Sequence, residues 1–99
     1  MTTDISTLRP LSVAFFDYTN QQGETKPYIV LVTGVEDGDV LAIKLCSMKS
    51  SENYFDIRRA LSTTRTASEN FETVQTAVPA AREAFRRFKG YAIKNLAVL

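Results

Sequence analysis

The sequence contains no histidine, no tryptophan and a single cysteine among its 99 residues. Without histidine the chain lacks the commonest general base, the commonest metal ligand and every catalytic triad built on that residue. The lone Cys46 cannot form an internal disulfide, and by itself it leaves no zinc site of the usual kinds. We therefore expect no metal and no cofactor. We favour a non-catalytic protein, although arginine, threonine, tyrosine and carboxylates can support some chemistry.

Glycine and long apolar runs are also scarce. The four glycines are scattered, so the sequence has no glycine-rich phosphate-binding loop. No apolar run approaches the roughly 18 residues that span a bilayer. The N-terminal segment lacks the basic start and the apolar core of a secretion signal. Together with the missing disulfide, these features predict a cytoplasmic protein without a membrane partner.

The composition is that of an ordinary globular domain, with 44% apolar and 23% charged residues. We expect residues 1–11 to form a flexible N-terminal arm and residues 12–99 to form a single α+β domain. In this prediction an antiparallel sheet of three to four strands, with a central hairpin at residues 28–47, is followed by a C-terminal helical segment kinked near Pro79. One helix cannot cover both apolar faces of such a sheet, which predicts a homodimer.

The clearest local signal is the stretch YIVLVTGVEDGDVLAIKLC, residues 28–46. Asp37–Gly38 between two β-branched runs is typical of a type I′ turn, which needs positive φ at both central residues. A two-residue loop predicts three facing pairs: Val35 with Val40, Val32 with Ile43, and Val30 with Leu45. One apolar face then carries Val30, Val32, Leu41, Ile43 and Leu45. The other face is mixed and needs a second layer or a partner subunit; it holds Ile29, Leu31, Val35, Val40, Ala42, Lys44 and Cys46, the last as a buried structural thiol.

Other segments have weaker signals. Ser12–Tyr18 alternates well enough to be a strand. Residues 54–60, YFDIRRA, fit a strand and also a helix capped by Ser51, and we favour the strand. Thr66 and Glu69 fit a capping box that begins a helix, which Pro79 then breaks or kinks. Beyond that proline, six residues share one face of a second helix: Ala81, Ala84, Phe85, Phe88, Tyr91 and Ala92.

Charge is distributed unevenly along the chain. Residues 1–57 hold eight acids and four bases, a net charge of −4, whereas residues 58–99 hold eight bases and three acids, a net charge of +5. Such asymmetry indicates an anionic partner. We interpret the acidic turn at residues 36–39 as solvated rather than as a cation site.

Single-stranded nucleic acid is the anionic partner that the basic and aromatic residues fit best. Three arginines beside the hydroxyl-rich segment 62–68 are candidate phosphate contacts: Arg58, Arg59 and Arg65. Three further bases would extend this surface: Arg86, Arg87 and Lys89. Aromatic side chains on a sheet allow bases to stack, and the candidates are Tyr18, Tyr28 and Tyr54. A dimer interface is the competing interpretation for Phe15 and Phe16.

Two resemblances to known families add to this interpretation. Over residues 12–95, a meander of strands followed by one long helix resembles, in element order, the PC4-like and Whirly-like single-stranded-DNA-binding proteins. That resemblance implies a curved sheet that binds nucleic acid and a helix that helps to form a dimer. The stretch KPYIVLVTGVEDGDVLAIKLCS, residues 26–47, is similar to the core hairpin of the MazF/PemK-like ribonuclease toxins. Lys26 stands where arginine is usual in those toxins.

These observations lead to three functional hypotheses. The leading one is a small non-catalytic nucleic-acid-binding domain for single-stranded DNA or RNA. The alternative is a homo-oligomeric protein-interaction or accessory protein, including one of viral origin. The third is a MazF/PemK-like RNase, which would cut RNA without added metal.

Overall fold

The computed structural model describes residues 5–45 and 51–99, with the side chains of the second range described from residue 54 onwards. Five strands form in these residues: β1 Val13–Thr19, β2 Thr25–Glu36, β3 Asp39–Lys44, β4 Phe85–Phe88 and β5 Ile93–Val98. Two α-helices lie between β3 and β4: α1 Ser51–Ala60 and α2 Ala67–Ala77. Short 3₁₀ helices occupy Ile5–Thr7, Pro79–Ala84 and Gly90–Ala92. The α+β class is confirmed, but the predicted sheet of three to four strands followed by a C-terminal helical segment is wrong.

The sheet is curled. Its strands pair antiparallel in the order β4-β3-β2-β1-β5, which puts the consecutive strands β4 and β5 at opposite edges. Only residues 89–92 join these two strands. The rings of Phe16 on β1 and Phe88 on β4 have centroids 5.0 Å apart. In a flat sheet, three strand spacings would separate β1 from β4 by about 14 Å. The curl therefore gives the sheet a concave inner face and an outer face.

Each face builds its own hydrophobic cluster. The inner face is filled by the sheet and by the N-terminal segment, and its buried members are Leu8, Ala14, Phe16, Val30, Val32, Val40, Ala42, Phe88 and Leu96. The outer face packs against both α-helices in a second cluster that includes Leu31, Ile43, Ile57, Leu61, Val74 and Val78. The helices cover this face only in part. Phe15 and Ile29, paired across β1 and β2, remain 37% and 42% exposed.

The turn between β2 and β3 has the predicted geometry. Asp37 and Gly38 have φ values of 52° and 78°, as the type I′ turn requires. Val35 pairs with Val40, also as predicted. The Asp-Gly pair is thus sufficient to define the tip of this hairpin from local chemistry.

A β-bulge between Val32 and Gly34 overturns the rest of the predicted register. Pairs beyond the bulge move by one residue: Val32 lies opposite Ala42 instead of Ile43, and Val30 opposite Lys44 instead of Leu45. A one-residue shift exchanges the two faces of a strand. Val40 and Ala42 therefore belong to the inner cluster with Val30 and Val32, and the predicted composition of both hairpin faces is wrong.

The bulge lies where α2 reaches the sheet. The buried hydroxyl of Thr33 donates to the carbonyl oxygen of Leu41 at 2.7 Å. A Cβ added to Gly34 would lie 2.6 Å from the Cβ of Ala67, and the φ of Gly34 is +154°. Real Cβ atoms do not approach so closely, and few side chains accept that φ. Glycine at this position therefore allows the first turn of α2 to touch the β2 backbone.

Asn70 joins the helical layer to the bulge. Its amide nitrogen donates to the carbonyl oxygens of Thr33 at 2.9 Å and Ser62 at 3.0 Å. Its amide oxygen accepts the backbone N–H of Ser62 at 3.0 Å. The side chain is fully buried and both of its amide hydrogens are used. One polar side chain thus fixes α2, the α1–α2 loop and β2 relative to one another.

Residues 54–60 are helical, so the favoured strand is wrong and the helical alternative is right. A strand would place Phe55 and Ile57 on one side, whereas α1 buries Ile57 completely and leaves Phe55 60% exposed. The helical spacing of Tyr54, Ile57 and Leu61 matches the outer face of the sheet. The PC4-like and Whirly-like element order is also wrong, because the helices interrupt the sheet and the last element is a strand.

The C-terminal third begins with the predicted helix, but its later residues differ from the prediction. The capping box is present: Thr66 Oγ1 accepts the Glu69 N–H at 3.2 Å, and the Glu69 carboxylate accepts the Thr66 N–H at 3.0 Å. The helix ends at Ala77, before Pro79, but a 3₁₀ helix and β4 replace the predicted second helix. The apolar spacing of this segment fits either structure. The strand is chosen because it pairs with β3 and places Phe88 in the inner cluster.

The described part of the predicted N-terminal arm, residues 5–11, lies against the sheet. Leu8 is buried in the inner cluster, and the Leu11 N–H donates to the Val32 carbonyl at 3.0 Å. Cys46, predicted to be a buried thiol, lies outside the described residues. Among the helices of residues 5–45 and 51–99, none is both long enough and apolar enough to cross a bilayer.

Candidate nucleic-acid interface

Four aromatic rings meet at the end of the inner face beside the β1–β2 loop. Phe16, Tyr18, Tyr28 and Phe88 form this aromatic cluster, in which every pair of ring centroids lies between 5.0 and 6.5 Å. The two phenylalanines are buried, whereas the two tyrosines are only half-buried. Most pairs are edge-to-face, the arrangement that aromatic quadrupoles favour. The phenylalanines thus support two tyrosine rings that remain partly accessible.

Two lysines lie next to these tyrosines. Lys44 Nζ is 5.9 Å from the centroid of the Tyr28 ring, within the range of a cation–π interaction. The backbone N–H of Lys89 donates to the Tyr18 hydroxyl oxygen at 3.2 Å. The bulge explains the first contact, because the shifted register puts Lys44 opposite Val30 on the inner face.

Asp39 is the counter-ion of Arg87 and Lys89. Its Oδ2 accepts from Arg87 Nε at 2.9 Å and from Lys89 Nζ at 3.3 Å, and its Oδ1 accepts the Gly90 N–H at 3.2 Å. The Arg87 guanidinium, helped by Gly90 and Lys89, lowers the pKa of Asp39 below 3.8 despite its desolvation. Asp39 in turn raises the pKa of Arg87. The Asp39 side chain is 13% exposed, so the prediction of a solvated acidic turn is wrong for this residue.

A close backbone contact brings Gly90 to Asp39. A Cβ added to Gly90 would overlap the carbonyl oxygen of Gly38 in the β2–β3 turn. The connection between β4 and β5 therefore packs directly on the hairpin tip. This contact holds Arg87 of β4 and Lys89, which directly follows β4, around the carboxylate of Asp39.

The β1–β2 loop forms one wall of a recess of about 360 Å³. The residues that line the recess are Tyr18, Asn20, Gln21, Gln22, Arg87 and Lys89. Asn20 Oδ1 accepts the backbone N–H groups of Gln22 at 2.9 Å and Glu24 at 3.0 Å, an Asx turn that holds the loop in one shape. The recess combines an aromatic ring, two bases and three carboxamides.

The structure divides the nine predicted contact residues into separate groups. Four of them meet at the aromatic cluster and the recess: Tyr18, Tyr28, Arg87 and Lys89. Arg86 lies beside them on β4, but its guanidinium donates to the carbonyl oxygens of Glu83 at 3.0 Å and Phe85 at 2.8 Å. Its side chain is therefore used within its own segment.

The remaining predicted residues lie on the helical layer. Arg58 stacks over the Tyr54 ring at 5.7 Å and donates to its hydroxyl at 3.0 Å. Arg65 donates to the carbonyl oxygen of Ala60 at 3.1 Å, at the end of α1. Arg59 is exposed on α1. The local contacts of Arg58 and Arg65 stabilise the helical layer, so we do not include these residues in the candidate site.

Sequence reasoning missed Lys44, Asp39 and the carboxamides of residues 20–22 as members of the site. A register without the bulge places Lys44 on the other face of β3. The sequence around Asp39 predicts a solvated turn, because its partners lie about fifty positions away. One signal for the loop was available: the segment TNQQGET follows an aromatic strand and carries three adjacent carboxamides.

Lys26, which stands where the toxins usually have arginine, is not among the residues of this site. Lys26 is exposed near the start of β2, 3.9 Å from the Glu24 carboxylate, and Ser47 lies outside the described residues. Comparison with known proteins found no matching family model, no matching curated protein and no matching solved structure. Any function assigned to the site therefore rests on its own geometry.

Proposed function

We propose that this protein is a small, non-catalytic nucleic-acid-binding domain that binds single-stranded DNA or RNA. The contact would use the aromatic cluster and a basic rim, which we define as Lys44, Arg87 and Lys89. The observation that supports the proposal most strongly is that accessible tyrosine rings and basic side chains lie close together. Tyr28 lies beside Lys44, and Tyr18, in contact with Tyr28, lies beside Lys89 and shares the recess with Arg87.

Stacking would provide the aromatic part of the binding energy. Base–aromatic stacking contributes about 1–3 kcal/mol per base and tolerates any base, because every base has a π face. The half-buried rings of Tyr18 and Tyr28 are held by the buried Phe16 and Phe88. A supported ring loses little conformational freedom when a base stacks on it, which favours affinity.

The basic rim would provide the electrostatic part. Lys44, Arg87 and Lys89 provide the cationic groups, and the carboxylate of Asp39 together with the charges of Glu36 and Asp37 near Arg87 offsets them in part, so that single phosphate contacts and not a large net charge would carry this energy. Each phosphate that a single strand brings to such a surface releases condensed counterions. Two neutralised phosphates would give a salt dependence with a slope of about −1.4 in log K against log salt.

The geometry favours single strands over a duplex. The tyrosine rings lie at the end of the concave inner face and are partly covered by neighbouring rings. Bases must leave their stack to reach such rings, which single strands allow and a duplex resists.

The proposal is tested by fluorescence anisotropy of labelled single-stranded DNA, single-stranded RNA and duplex DNA at two salt concentrations. We expect the protein to bind single strands, to bind the duplex more weakly and to lose affinity as salt rises. Lys89→Gln should make the salt slope shallower by about 0.7, the value for one phosphate contact on a single strand. Arg59→Gln removes the same charge from α1 and should leave the slope unchanged. Absence of binding at low salt would overturn the proposal.

A second candidate function, self-association, is supported by the outer face of the sheet. Phe15 and Ile29 pair with each other, and Ala97 of β5 lies on the other side of Phe15. Leu99, whose N–H donates to the carbonyl oxygen of Val13 next to this face, is also exposed. These residues favour a homodimer or another protein contact on this face. Phe16 does not belong to it, because its side chain is fully buried in the inner cluster.

Sedimentation velocity tests this second candidate. A homodimer that uses the outer face should dissociate on Phe15→Ser, whereas Phe55→Ser, which changes an exposed phenylalanine on α1, should leave it intact. A wild-type protein that sediments as a monomer at its highest soluble concentration would remove this candidate.

A further inference from the structure

The two edges of the sheet differ in their side chains. β4 forms one edge and β5 forms the other, and each is hydrogen-bonded to a single neighbouring strand. β4 has only four residues, and two of them are the exposed Arg86 and Arg87. A short strand with charged side chains is a usual protection of an edge against pairing with another chain. β5 has six residues, and the segment from residue 96 to residue 99 holds no charge. The β5 edge therefore lacks this protection.

The backbone of β5 presents hydrogen-bonding groups along this edge. The Leu99 N–H donates to the Val13 carbonyl at 2.8 Å, so the backbone of residue 99 faces β1. Successive residues of a strand direct their N–H and C=O groups to opposite sides. Val98 therefore directs its groups away from β1, and so does Leu96, two positions earlier. In the described part of the chain, no backbone hydrogen bond joins these groups to another segment on that side.

An apolar row on the outer face runs up to the same edge. Ile29 on β2 pairs with Phe15 on β1, and Phe15 pairs with Ala97 on β5. Directly paired residues of neighbouring strands lie on one face, and all three of these are exposed. The row stops at Ala97 because the sheet ends there. A further strand at the β5 edge would continue the row if it placed a small apolar residue opposite Ala97.

A second copy of β5 meets these requirements. In an antiparallel pair centred on Ala97, the alanines of the two copies face each other, and Val98 of each copy lies opposite Leu96 of the other. The outward N–H and C=O groups of these residues then bond to one another. Val98 pairs with the buried Ala14 and so lies on the inner face, where its side chain is 47% exposed. The same pairing would cover this side chain with Leu96 of the other copy.

Charge is compatible with this arrangement. Lys94 is the one charged residue of β5. In the antiparallel pair the two lysines lie at opposite ends of the paired segment, about 20 Å apart along the strands. This separation exceeds the screening length of about 8 Å at physiological salt, so their repulsion is small. The whole chain has a net charge of +1, which gives two copies little long-range repulsion.

We infer that the protein forms a homodimer in which β5 pairs antiparallel with β5 of a second copy. The two five-stranded sheets then become one continuous sheet, and the apolar rows of both copies join across it. Such a contact uses the same surface of both copies and therefore closes at two. The inference goes beyond single-strand binding and gives the self-association candidate a defined interface.

Sedimentation velocity of two variants tests the pairing. Val98→Pro removes the N–H that faces the second copy and leaves the bonds to β1 in place, since an edge strand tolerates proline at such a position. We expect the dissociation constant of the dimer to rise at least about tenfold, because both symmetry-related hydrogen bonds are lost. The control Val98→Thr keeps the N–H and a β-branched side chain, so the dissociation constant should stay within about threefold. Circular dichroism checks that both variants fold.

Amide hydrogen exchange of the unaltered protein gives a second readout. The Val98 N–H is bonded only in the dimer, so its exchange should slow at least about tenfold between dilute and concentrated protein. The Ala97 N–H faces β1 in both states and should change less. Equal exchange of the Val98 N–H at both concentrations would overturn the inference.

The other outcomes separate this interface from the two proposed functions. A protein that stays monomeric at its highest soluble concentration would overturn the β5 pairing together with the self-association candidate. A dimer that Phe15→Ser dissociates and Val98→Pro does not would overturn the β5 pairing alone. Equal weakening by Val98→Pro and Val98→Thr would also overturn it, because the side chain and not the N–H would then carry the contact. Single-strand binding is measured separately by anisotropy, and its failure would leave a dimer result standing.

Discussion

The hydroxyl oxygen of Tyr18 on β1 accepts the backbone N–H of Lys89, just after β4, at 3.2 Å. This hydrogen bond spans the open side of the curled sheet, because three strand spacings separate β1 from β4 within the sheet itself. The same tyrosine ring lies 5.0 Å from the Phe88 ring. The curl of the sheet thus brings the Tyr18 ring next to Lys89.

The first prediction separates the ring of Tyr18 from its hydroxyl. Tyr18→Phe keeps the aromatic face and loses one hydrogen bond, so we expect affinity for single-stranded DNA to change by less than about threefold. Tyr18→Leu removes the face and should weaken binding by about fivefold to about a hundredfold, the range for one stacked base. Anisotropy measures both. Equal affinities for the leucine and phenylalanine variants, both folded, would show that no base stacks on this ring.

The second prediction concerns the charge of Asp39. Asp39→Asn leaves Arg87 and Lys89 without their shared carboxylate and raises the net charge of the basic rim by one. We expect the thermal unfolding midpoint to fall while affinity for single strands rises roughly threefold or more at low salt. Asp37→Asn makes the same charge change in the same turn, and asparagine tolerates its positive φ. That control should change the thermal unfolding midpoint little, and it should raise affinity less than Asp39→Asn does. A loss of affinity in Asp39→Asn would contradict the proposed role of the rim.

The third prediction is a loss of stability in acid. Interactions in the folded state lower the pKa of Asp39, chiefly through Arg87, and that of Glu69, chiefly through the Thr66 backbone. In the unfolded chain these groups titrate near 3.8 and 4.5. Their stabilisation is therefore complete above those values and is lost as the pH falls through the lower folded pKa values. Urea unfolding from about pH 6 downwards should show this decline, and the decline should be smaller in Asp39→Asn. Parallel curves for the two proteins would contradict it.

The fourth prediction tests the buried Asn70. Asn70→Ala removes the partners of the Thr33 carbonyl and of both backbone groups of Ser62. Each buried polar group left without a partner costs about 1–3 kcal/mol, so we expect the free energy of unfolding to fall by about 3 kcal/mol. Thr76→Ala, an exposed change on the same helix, should stay within about 0.5 kcal/mol. Urea unfolding measures both variants. A loss below about 1 kcal/mol for Asn70→Ala would mean that water replaces the lost bonds.

Local chemistry made part of this fold predictable. The Asp37–Gly38 turn and the Thr66–Glu69 capping box were identified from residues within four positions of one another, and both are present. The bulge next to Gly34 could not be identified in this way. It depends on the contact with Ala67 on α2, more than thirty positions away, and no periodicity within β2 encodes that contact.

The C-terminal segment shows how burial can be predicted correctly from the wrong element. Ala84, Phe88 and Ala92 are buried, as the proposed helical face required, yet they belong to a 3₁₀ turn, a strand and a second turn. Tyr91, placed on the same face, is 84% exposed. A spacing of four residues fits both architectures, and only pairing with β3 selects the strand.

The candidate site was predictable by residue type but not by grouping. Tyrosines and bases were selected because stacking and phosphate contacts need them, and four of the nine meet at one place. Their separation from Tyr54, Arg58 and Arg65 follows from the curl of the sheet and from the insertion of both helices after β3. Neither feature has a signature within any one segment.

The most direct test of the account is a ¹H–¹⁵N NMR titration of the protein with a short single-stranded DNA. It reports which backbone amides respond to the ligand and does not depend on a substitution. We expect shifts concentrated at residues 18–24, 28, 44 and 87–90, which surround the aromatic cluster and the recess. Shifts centred on residues 54–65 of the helical layer, or no shifts at all, would contradict it.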